Sequence, residues 1–411
     1  MPSFVTHLES ALDGTPLAAD RVQSTHRDRP LWVRYDLDAV ARAVTRDDWA
    51  RRPPELWRYA ELLPLPDAQA AVSLGERISP LVPCPRLGAS LGLARLTIKD
   101  ESQLPTGSFK SRGLALAVSM ARHFGLKRLA IPTNGNAGGA LAAYAARAGL
   151  EAYVFMPADT PVINQYECAL YGARTFLVEG LITDCGALVR AGCEAAGWFD
   201  VSTLREPYRI EGKKTMGLEL AEQCQWSLPD VILYPTGGGT GLIGMWKAFA
   251  ELAALGWLAT DRLPRMVAVQ SSGCAPIVRA WEAGERFAAP VTDAATIAAG
   301  IRVPSAVGDF MILDAIRESG GRAVAVDEAQ IRDWMQWAAA TEGIAICPEA
   351  AACVGAAEML IREGWLAGDE HVVLFNTGAA QKYAECLRVE LPRLPRYAAD
   401  AAIDYSALVA R

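Results

Sequence analysis

Residues 95–113 read RLTIKDESQLPTGSFKSRG, and this stretch decides the fold. The apolar run predicts a strand over 95–101, and a helix is predicted to follow from Phe109 after a turn. Ser108 is placed to cap that helix, so Lys110 falls in its first turn. A cation there opposes the helix dipole, which lowers the pKa of its amine and makes it a better nucleophile for a carbonyl group.

The same alternation of strand and helix continues along the chain. Short apolar runs that alternate with helical segments predict an α/β fold in which helices flank parallel sheets, and ligands then bind at the carboxyl ends of strands. The further predicted strands are RLAIPT (128–133), AYVFMP (152–157), RTFLVEG (174–180), VILYPT (231–236), MVAVQS (266–271), AVAVDE (323–328) and HVVLFNT (371–377).

Three of these strand ends carry polar or glycine-rich sequence. Thr133-Asn134-Gly135-Asn136 offers amide and hydroxyl groups before an Ala-rich helix, although a simple helix cap would look the same. Gly237-Gly238-Gly239-Thr240-Gly241 lets backbone amides approach a phosphate, with a tight turn as the alternative. It is neither a Walker A loop nor a dinucleotide fingerprint, so a compact phosphate is favoured over a nucleotide. Thr377 places a hydroxyl at the end of the last strand.

Together these groups describe one ligand. A reactive lysine, a phosphate cradle, an amide and a hydroxyl fit pyridoxal 5′-phosphate held as a Schiff base on Lys110. The nine cysteines form no CxxC pair and the four histidines no HxxxH pair, so no metal site is expected.

Composition narrows the class of protein. The chain has 411 residues, 51% of them hydrophobic, and a net charge of −7, which disfavours nucleic acid as a partner. It has neither a signal peptide pattern nor a membrane-length apolar run, so a cytoplasmic protein with free thiols is expected.

The motifs resemble those of fold-type II pyridoxal-phosphate enzymes, and of the threonine synthase family in particular. The segments are TGSFKSRG, TNGNAGG, YRIEGKKTMGLEL (208–220), PTGGGTG and FNTG, in that order, and the lead-in LWVRYDL is similar too. The resemblance covers roughly residues 30–385. It implies a two-domain fold like that of the tryptophan synthase β-subunit, commonly a homodimer, with a small amino acid as substrate.

The resemblance also implies a role for each site residue. Lys110 would bond covalently to the cofactor and shuttle protons. Phe109 would pack on the ring, Asn136 would bind its 3′-oxygen, Thr377 would meet its ring nitrogen, and Gly237, Gly238, Gly239, Thr240 and Gly241 would hold its phosphate. The substrate would lie against Thr133, Asn134, Gly135, Thr203 and Arg209, where Arg209 matches a family arginine for the phosphate of O-phosphohomoserine.

Several positions depart from the family pattern on the substrate side. Ala137 stands where the family has a hydroxyl, Thr203 and Leu204 replace an Asn-Ser pair, and Ser111 replaces an aspartate. Two activities therefore stay open: threonine synthase, which converts O-phospho-L-homoserine and water into L-threonine and phosphate, and a serine/threonine or diaminopropionate-type ammonia-lyase that makes a 2-oxoacid. A sensor that kept only the fold is a third alternative, which the intact Lys110 disfavours.

Four segments are expected from the same reasoning. Residues 1–75 form a lead-in that packs on the large domain. The large cofactor-binding domain comprises 76–111 and 226–390, a smaller mobile domain comprises 112–225, and a tail comprises 391–411.

Overall fold

The computed structural model describes residues 3–387, together with residues 391 and 393. The predicted tail over 391–411 otherwise lies outside the described residues, as do the last three residues assigned to the large domain. The division into domains stays a prediction.

Thirteen strands and thirteen α-helices follow one another along the described residues. The strands are β1 (Val5–Ser10), β2 (Pro16–Leu17), β3 (Leu31–Tyr35), β4 (Leu81–Pro83), β5 (Arg95–Asp100), β6 (Arg128–Pro132), β7 (Glu151–Pro157), β8 (Arg174–Val178), β9 (Phe199–Asp200), β10 (Val231–Pro235), β11 (Arg265–Ser271), β12 (Arg322–Val326) and β13 (His371–Asn376). The helices are α1 (Leu37–Ala43), α2 (Arg46–Arg51), α3 (Pro85–Leu91), α4 (Lys110–His123), α5 (Asn136–Ala148), α6 (Val162–Leu170), α7 (Ile182–Ala196), α8 (Tyr208–Gln223), α9 (Thr240–Ala254), α10 (Pro276–Glu282), α11 (Asp309–Glu318), α12 (Ile331–Glu342) and α13 (Pro348–Arg362).

The strands form three sheets. A six-stranded sheet has the order β12-β11-β10-β13-β5-β4 and is parallel except for β4, which pairs antiparallel with β5. A four-stranded parallel sheet has the order β8-β7-β6-β9, and the lead-in forms the antiparallel sheet β2-β1-β3. The predicted α/β class and all eight predicted strands are confirmed. The short strands β2, β4 and β9 were not predicted, because two or three residues carry no periodic signal. The longer strands β1 and β3 of the lead-in were not predicted either.

Helices cover both faces of the large sheet. One face packs against α3, α12 and α13, and the other against α9, α10 and α11. The strand β10 is buried along its whole length, as expected of a central parallel strand. The lead-in divides its contacts, since Leu8 and Val33 pack with α4 and the smaller sheet, whereas Val40 and Trp49 pack with α8 and α9.

Two glycines let α4 and α8 cross in direct backbone contact. A Cβ atom on Gly212 would lie 2.1 Å from the carbonyl oxygen of Arg112, and one on Gly113 would lie 2.9 Å from that of Arg209. Carbon atoms cannot approach backbone oxygen this closely, so only glycine fits at Gly212. This crossing sets the start of α4, and with it Lys110, against the first turns of α8.

A buried ion cluster fixes the same region to the large sheet. The Arg112 guanidinium contacts the carboxylates of Glu101 and Glu219, and Lys99 Nζ lies 2.9 Å from Glu219 Oε2. All four side chains are inaccessible to solvent. Removing one partner would leave an uncompensated buried charge, so the cluster holds α4, α8 and β5 in a defined arrangement.

Among the described residues, no helix combines the length and apolar character needed to cross a bilayer. The nine cysteines are all free.

Candidate active site

A cavity of about 490 Å³ opens at the carboxyl ends of strands from both parallel sheets. Thirteen of the fourteen predicted site residues line it, and Arg209 does not. The thirteen are Phe109, Lys110, Thr133, Asn134, Gly135, Asn136, Thr203, Gly237, Gly238, Gly239, Thr240, Gly241 and Thr377.

Lys110 is the first residue of α4 and is half-buried. Its Nζ lies 4.1 Å from the centre of the Phe109 ring. Burial, assisted by the positive charge of Arg209, lowers the pKa of Lys110 to about 7, and the charge of Glu349 acts in the opposite direction. A large share of the amine is therefore neutral and nucleophilic near neutral pH. The expected lowering is present, with burial as its largest cause.

The prediction that Ser108 caps α4 is wrong. The cap residue is Phe109, and it makes no side-chain capping bond. Ser108 instead pairs with Gly378 in an isolated antiparallel bridge, and its hydroxyl has no hydrogen-bond partner among the described residues. The bridge ties the loop before Lys110 to the end of β13, and this long-range pairing overrides the local capping preference.

A second lysine lies beside Lys110. Lys213 Nζ donates to the carbonyl oxygen of Phe109 and lies 4.1 Å from the centre of its ring. Burial, then the charges of Lys110 and Arg209, lower the pKa of Lys213 well below its usual value. Arg209 and Lys213 stand four residues apart on α8 and so share one face of the helix.

The glycine loop connects β10 to the start of α9. Gly239 has φ +75° and a Cβ there would lie 2.3 Å from the Ile312 side chain, so the loop can follow this path only with glycine. A Cβ on Gly238 would meet Thr203 at 2.7 Å. The backbone amides at the N-terminus of α9 therefore line the cavity without side chains in front of them, which suits an anion.

Asn136 begins α5. Its Nδ2 donates to the Tyr383 hydroxyl at 2.9 Å, and its Oδ1 has no partner among the described residues. Thr133 Oγ1 accepts from Gly135 N and Gly138 N, at 2.9 and 3.1 Å, and so shapes the turn before the helix.

Thr377 follows β13, and its hydroxyl lies 3.6 Å from the Cys347 thiol. Burial and the Glu349 carboxylate raise the pKa of Cys347 well above its usual value, so this thiol is neutral. Asn134 Nδ2 donates to the carbonyl of Arg302 at 2.8 Å, which holds that side chain against the cavity wall.

Arg209 lies behind the cavity wall. Its side chain is almost fully buried and donates through Nη1 to the Val201 carbonyl at 2.8 Å. Its Nε has no partner among the described residues.

Other guanidinium groups line the cavity itself, those of Arg29, Arg190 and Arg205. Arg205 Nη1 pairs with Asp28 at 2.9 Å, and the carboxylate of Asp28 is 87% exposed. Arg29 pairs with Asp309 at 3.4 Å. The segment around residues 28–29 thus contacts two parts of the cavity wall.

The residues present fit pyridoxal phosphate. A lysine of lowered pKa, an asparagine and a glycine cradle that excludes side chains face one cavity. Each would supply one of the contacts that this cofactor needs. Within residues 3–387, 391 and 393 no three His, Cys, Asp or Glu side chains cluster as metal ligands would.

Comparison with known proteins agrees with this fit. The family model of pyridoxal-phosphate dependent enzymes matches residues 72–378. The threonine synthase of Methanosarcina acetivorans is 35% identical over 375 residues, which cover 90% of this chain and 91% of that protein. That of Methanocaldococcus jannaschii is 33% identical, over 86% of each chain.

The chain belongs to the threonine synthase family of pyridoxal-phosphate-dependent enzymes. The resemblance inferred from the motifs is thereby confirmed, as is the cofactor.

Solved structures of other proteins have the same fold as this chain. Diaminopropionate ammonia lyase from Escherichia coli superposes with a TM-score of 0.66 at 19% identity, covering 77% of this chain and 88% of that one. At this identity the likeness shows the fold-type II architecture alone.

The sequence analysis did not identify five residues of this site, which are Glu349, Tyr383, Lys213, Arg190 and Arg205. Each lies on a helix or loop away from the strand-end motifs, and only tertiary packing brings it to the cavity or to Lys110. The sequence signal for Lys213 was its place in the YRIEGKKT segment, four residues after Arg209.

Proposed function

We propose that this enzyme is a threonine synthase, which converts O-phospho-L-homoserine and water into L-threonine and inorganic phosphate. The observation that carries this proposal is the shared cavity of Lys110 and the Gly237–Gly241 loop, in a chain that the threonine synthase of Methanosarcina acetivorans matches over nine-tenths of its length.

The groups that face the cavity support a place for the cofactor. Amides of Gly237–Gly241 would hold its phosphate, Asn136 would bind its phenolic oxygen, Thr377 would meet its ring nitrogen and Phe109 would pack on the ring. When bound, pyridoxal phosphate supplies an electron sink for electrons released at the substrate Cα. Because the Thr377 hydroxyl is neutral, it cannot hold the ring nitrogen protonated as a carboxylate would.

Lys110 moves the protons of the reaction. Its amine takes the proton from Cα, and later one from Cβ, of the bound amino acid. The bond between Cγ and the phosphate oxygen breaks, the hydroxyl of water adds at Cβ, and protons return to Cα and Cγ. A pKa of about 7 suits this work, since the amine accepts and releases protons with similar ease near neutral pH.

The arginines of the cavity wall support an anionic substrate. Arg190 and Arg205, together with the Thr203 hydroxyl, offer donors to the substrate phosphate. Arg209 contributes its positive charge from behind the wall, where its side chain bonds to Val201.

One assay decides between this activity and its alternative. Purified enzyme is given O-phospho-L-homoserine, serine, threonine and diaminopropionate separately, and phosphate and 2-oxoacid are measured. Phosphate release with L-threonine formation supports the proposal. Brisk 2-oxoacid formation without phosphate release overturns it in favour of an ammonia-lyase, which the position of Arg209 away from the cavity would then explain.

We also propose that the enzyme is a homodimer in the cytoplasm. Nine free cysteines suit a reducing compartment. A solution mass of twice the 44.1 kDa of one chain would support the dimer, and a mass of 44.1 kDa would refute it.

A further inference from the structure

The loop over residues 299–303 forms part of the cavity wall and packs on the glycine loop. Gly300, Ile301 and Val303 line the cavity. A Cβ atom on Gly237 would lie 2.9 Å from Val303 Cγ2 and 3.0 Å from the carbonyl oxygen of Gly300. The two loops are therefore in direct contact, and this contact fixes the 299–303 loop to the six-stranded sheet.

Arg302, in this loop, contacts the four-stranded sheet through both its side chain and its backbone. Its Nη1 and Nη2 donate to the two carboxylate oxygens of Asp159, each at 2.7 Å, and Asp159 follows β7. Its carbonyl oxygen accepts from Asn134 Nδ2 at 2.8 Å, and Asn134 follows β6. One residue thus joins the loop to the carboxyl ends of two neighbouring strands of the other sheet.

The two bonds to Asp159 fix the position of Arg302 more closely than a single bond would. A planar guanidinium that donates two parallel bonds to one carboxylate sets both the distance and the angle between the two groups. The Arg302 side chain is only 12% exposed, which limits the other arrangements open to it. Because the carbonyl that binds Asn134 belongs to the same residue, the pair also holds Asn134 at the cavity wall.

A second ion pair joins the two sheets and differs from the first in its burial. Lys382, in the segment after β13, lies 2.6 Å from Glu167 of α6. Their side chains are 8% and 14% exposed, whereas that of Asp159 is 63% exposed. Water can replace Arg302 as the partner of Asp159, but breaking the Lys382 pair would leave two largely buried charges. The Asp159 pair is therefore the one that can open while the protein stays folded.

We propose that Arg302 is a positioning residue that holds the cavity closed through its pair with Asp159. While the pair is formed, the ends of β6 and β7 lie against the 299–303 loop and Asn134 stays at the cavity wall. When the pair breaks, these strand ends can separate from the loop and admit a ligand. This proposal rests on the proposed cofactor site, and it applies to a threonine synthase and to an ammonia-lyase alike.

The test measures how fast hydroxylamine reaches the cofactor in the holoenzyme without substrate. Hydroxylamine displaces the lysine from the aldehyde carbon of pyridoxal phosphate and removes the visible absorbance, so the rate reports access to the cavity. Arg302→Gln and Asp159→Asn should each raise this rate about threefold, since a partly exposed ion pair contributes little free energy. The double variant should be no faster than Arg302→Gln alone. Wild-type rates in both single variants, or effects that multiply fully in the double variant, would overturn the proposal.

Arg322→Gln is the matched control. Arg322 of β12 lies 2.6 Å from Glu363, both side chains are partly exposed, and this pair does not join the two sheets. The control should react at the wild-type rate, and a rate equal to that of Arg302→Gln would overturn the specific role of Arg302. Added salt should speed the wild type and leave Arg302→Gln unchanged, because only the wild type has the ion pair to screen. Equal salt effects in the two proteins would contradict the proposal.

Asp159→Asn keeps the test decisive if Arg302→Gln does not fold, because the Asp159 side chain is largely exposed and its change leaves the core intact. Asp159→Glu keeps a carboxylate at this position and should restore a rate near that of the wild type. A rate as high as that of Asp159→Asn would show that the charge is not what holds the cavity closed. Since no substrate is present, a protein that releases no phosphate from O-phospho-L-homoserine would still give these rates, and the two proposals fail separately.

Discussion

Lys110 is the residue on which the proposed chemistry depends. We propose for it a covalent role toward the cofactor and proton transfer at the substrate, and burial together with the charges of Arg209 and Glu349 shifts its pKa. Its backbone stands at the first turn of α4, directly after a bridge that ties Ser108 to Gly378 at the end of β13.

Lys110→Ala should remove both roles. We expect its activity to fall by at least about 10³-fold, because the neighbouring amine of Lys213 donates to the Phe109 carbonyl oxygen and does not line the cavity. Borohydride treatment should add the mass of the cofactor to the wild type and not to the variant. Lys127→Ala, an exposed lysine beyond the same helix, should behave as the wild type. Cofactor fixed to the Lys110→Ala chain would contradict the assignment.

Because the pKa of Lys110 is lowered, the rate at which the apoprotein binds the cofactor covalently should depend on pH in a defined way. Only the neutral amine attacks the aldehyde, so in the apoprotein the capture rate should rise about tenfold between about pH 6 and about pH 8 and then level off. Stopped-flow absorbance of apoprotein mixed with pyridoxal phosphate measures this. A rate that keeps rising above about pH 9 would indicate an ordinary lysine.

The loop between β10 and α9 is the element that shapes the phosphate cradle. Gly239→Ala would place a methyl group into Ile312 as well as straining a positive φ, so we expect at least about tenfold weaker cofactor binding and a loss of stability of about 1–3 kcal/mol. Gly256→Ala, with φ +67° and open space around it, isolates the backbone cost. Equal cofactor affinity in the two variants would argue against the cradle.

At the scale of the whole molecule, the lead-in contributes Asp28 and Arg29 to the wall of the cavity. Because Asp28 pairs with Arg205, a substrate phosphate that binds Arg205 as we propose would compete with that carboxylate. Asp28→Asn should therefore lower KM for O-phospho-L-homoserine about two- to threefold, since an exposed ion pair is weak. Arg205→Gln should raise KM about tenfold.

Steady-state kinetics at constant ionic strength measures both changes. Arg147→Gln, an exposed arginine on α5, controls for a general loss of positive charge. Asp28→Asn and Arg205→Gln changing KM in the same direction would contradict the competition.

Features of the site could be predicted from the sequence when the interacting residues are close together in the chain, and not when they are far apart. The strand-end motifs could be recognised because each strand and its loop are contiguous, and Lys110 sits next to its own strand. Two features depend on segments far apart in the chain, namely the bridge of Ser108 to Gly378 and the hydrogen bond of Asn136 to Tyr383. Local patterns carry no information about such contacts.

The crossing of α4 and α8 at Gly113 and Gly212 has a mechanical consequence. Backbones in direct contact cannot slide past each other, so the two helices must travel as one piece in any hinge motion between the sheets. Lys110, Arg209 and Lys213 belong to these two helices and therefore keep their mutual spacing. The enzyme could therefore open for substrate and close again without altering the cationic surroundings that hold its lysine ready to react.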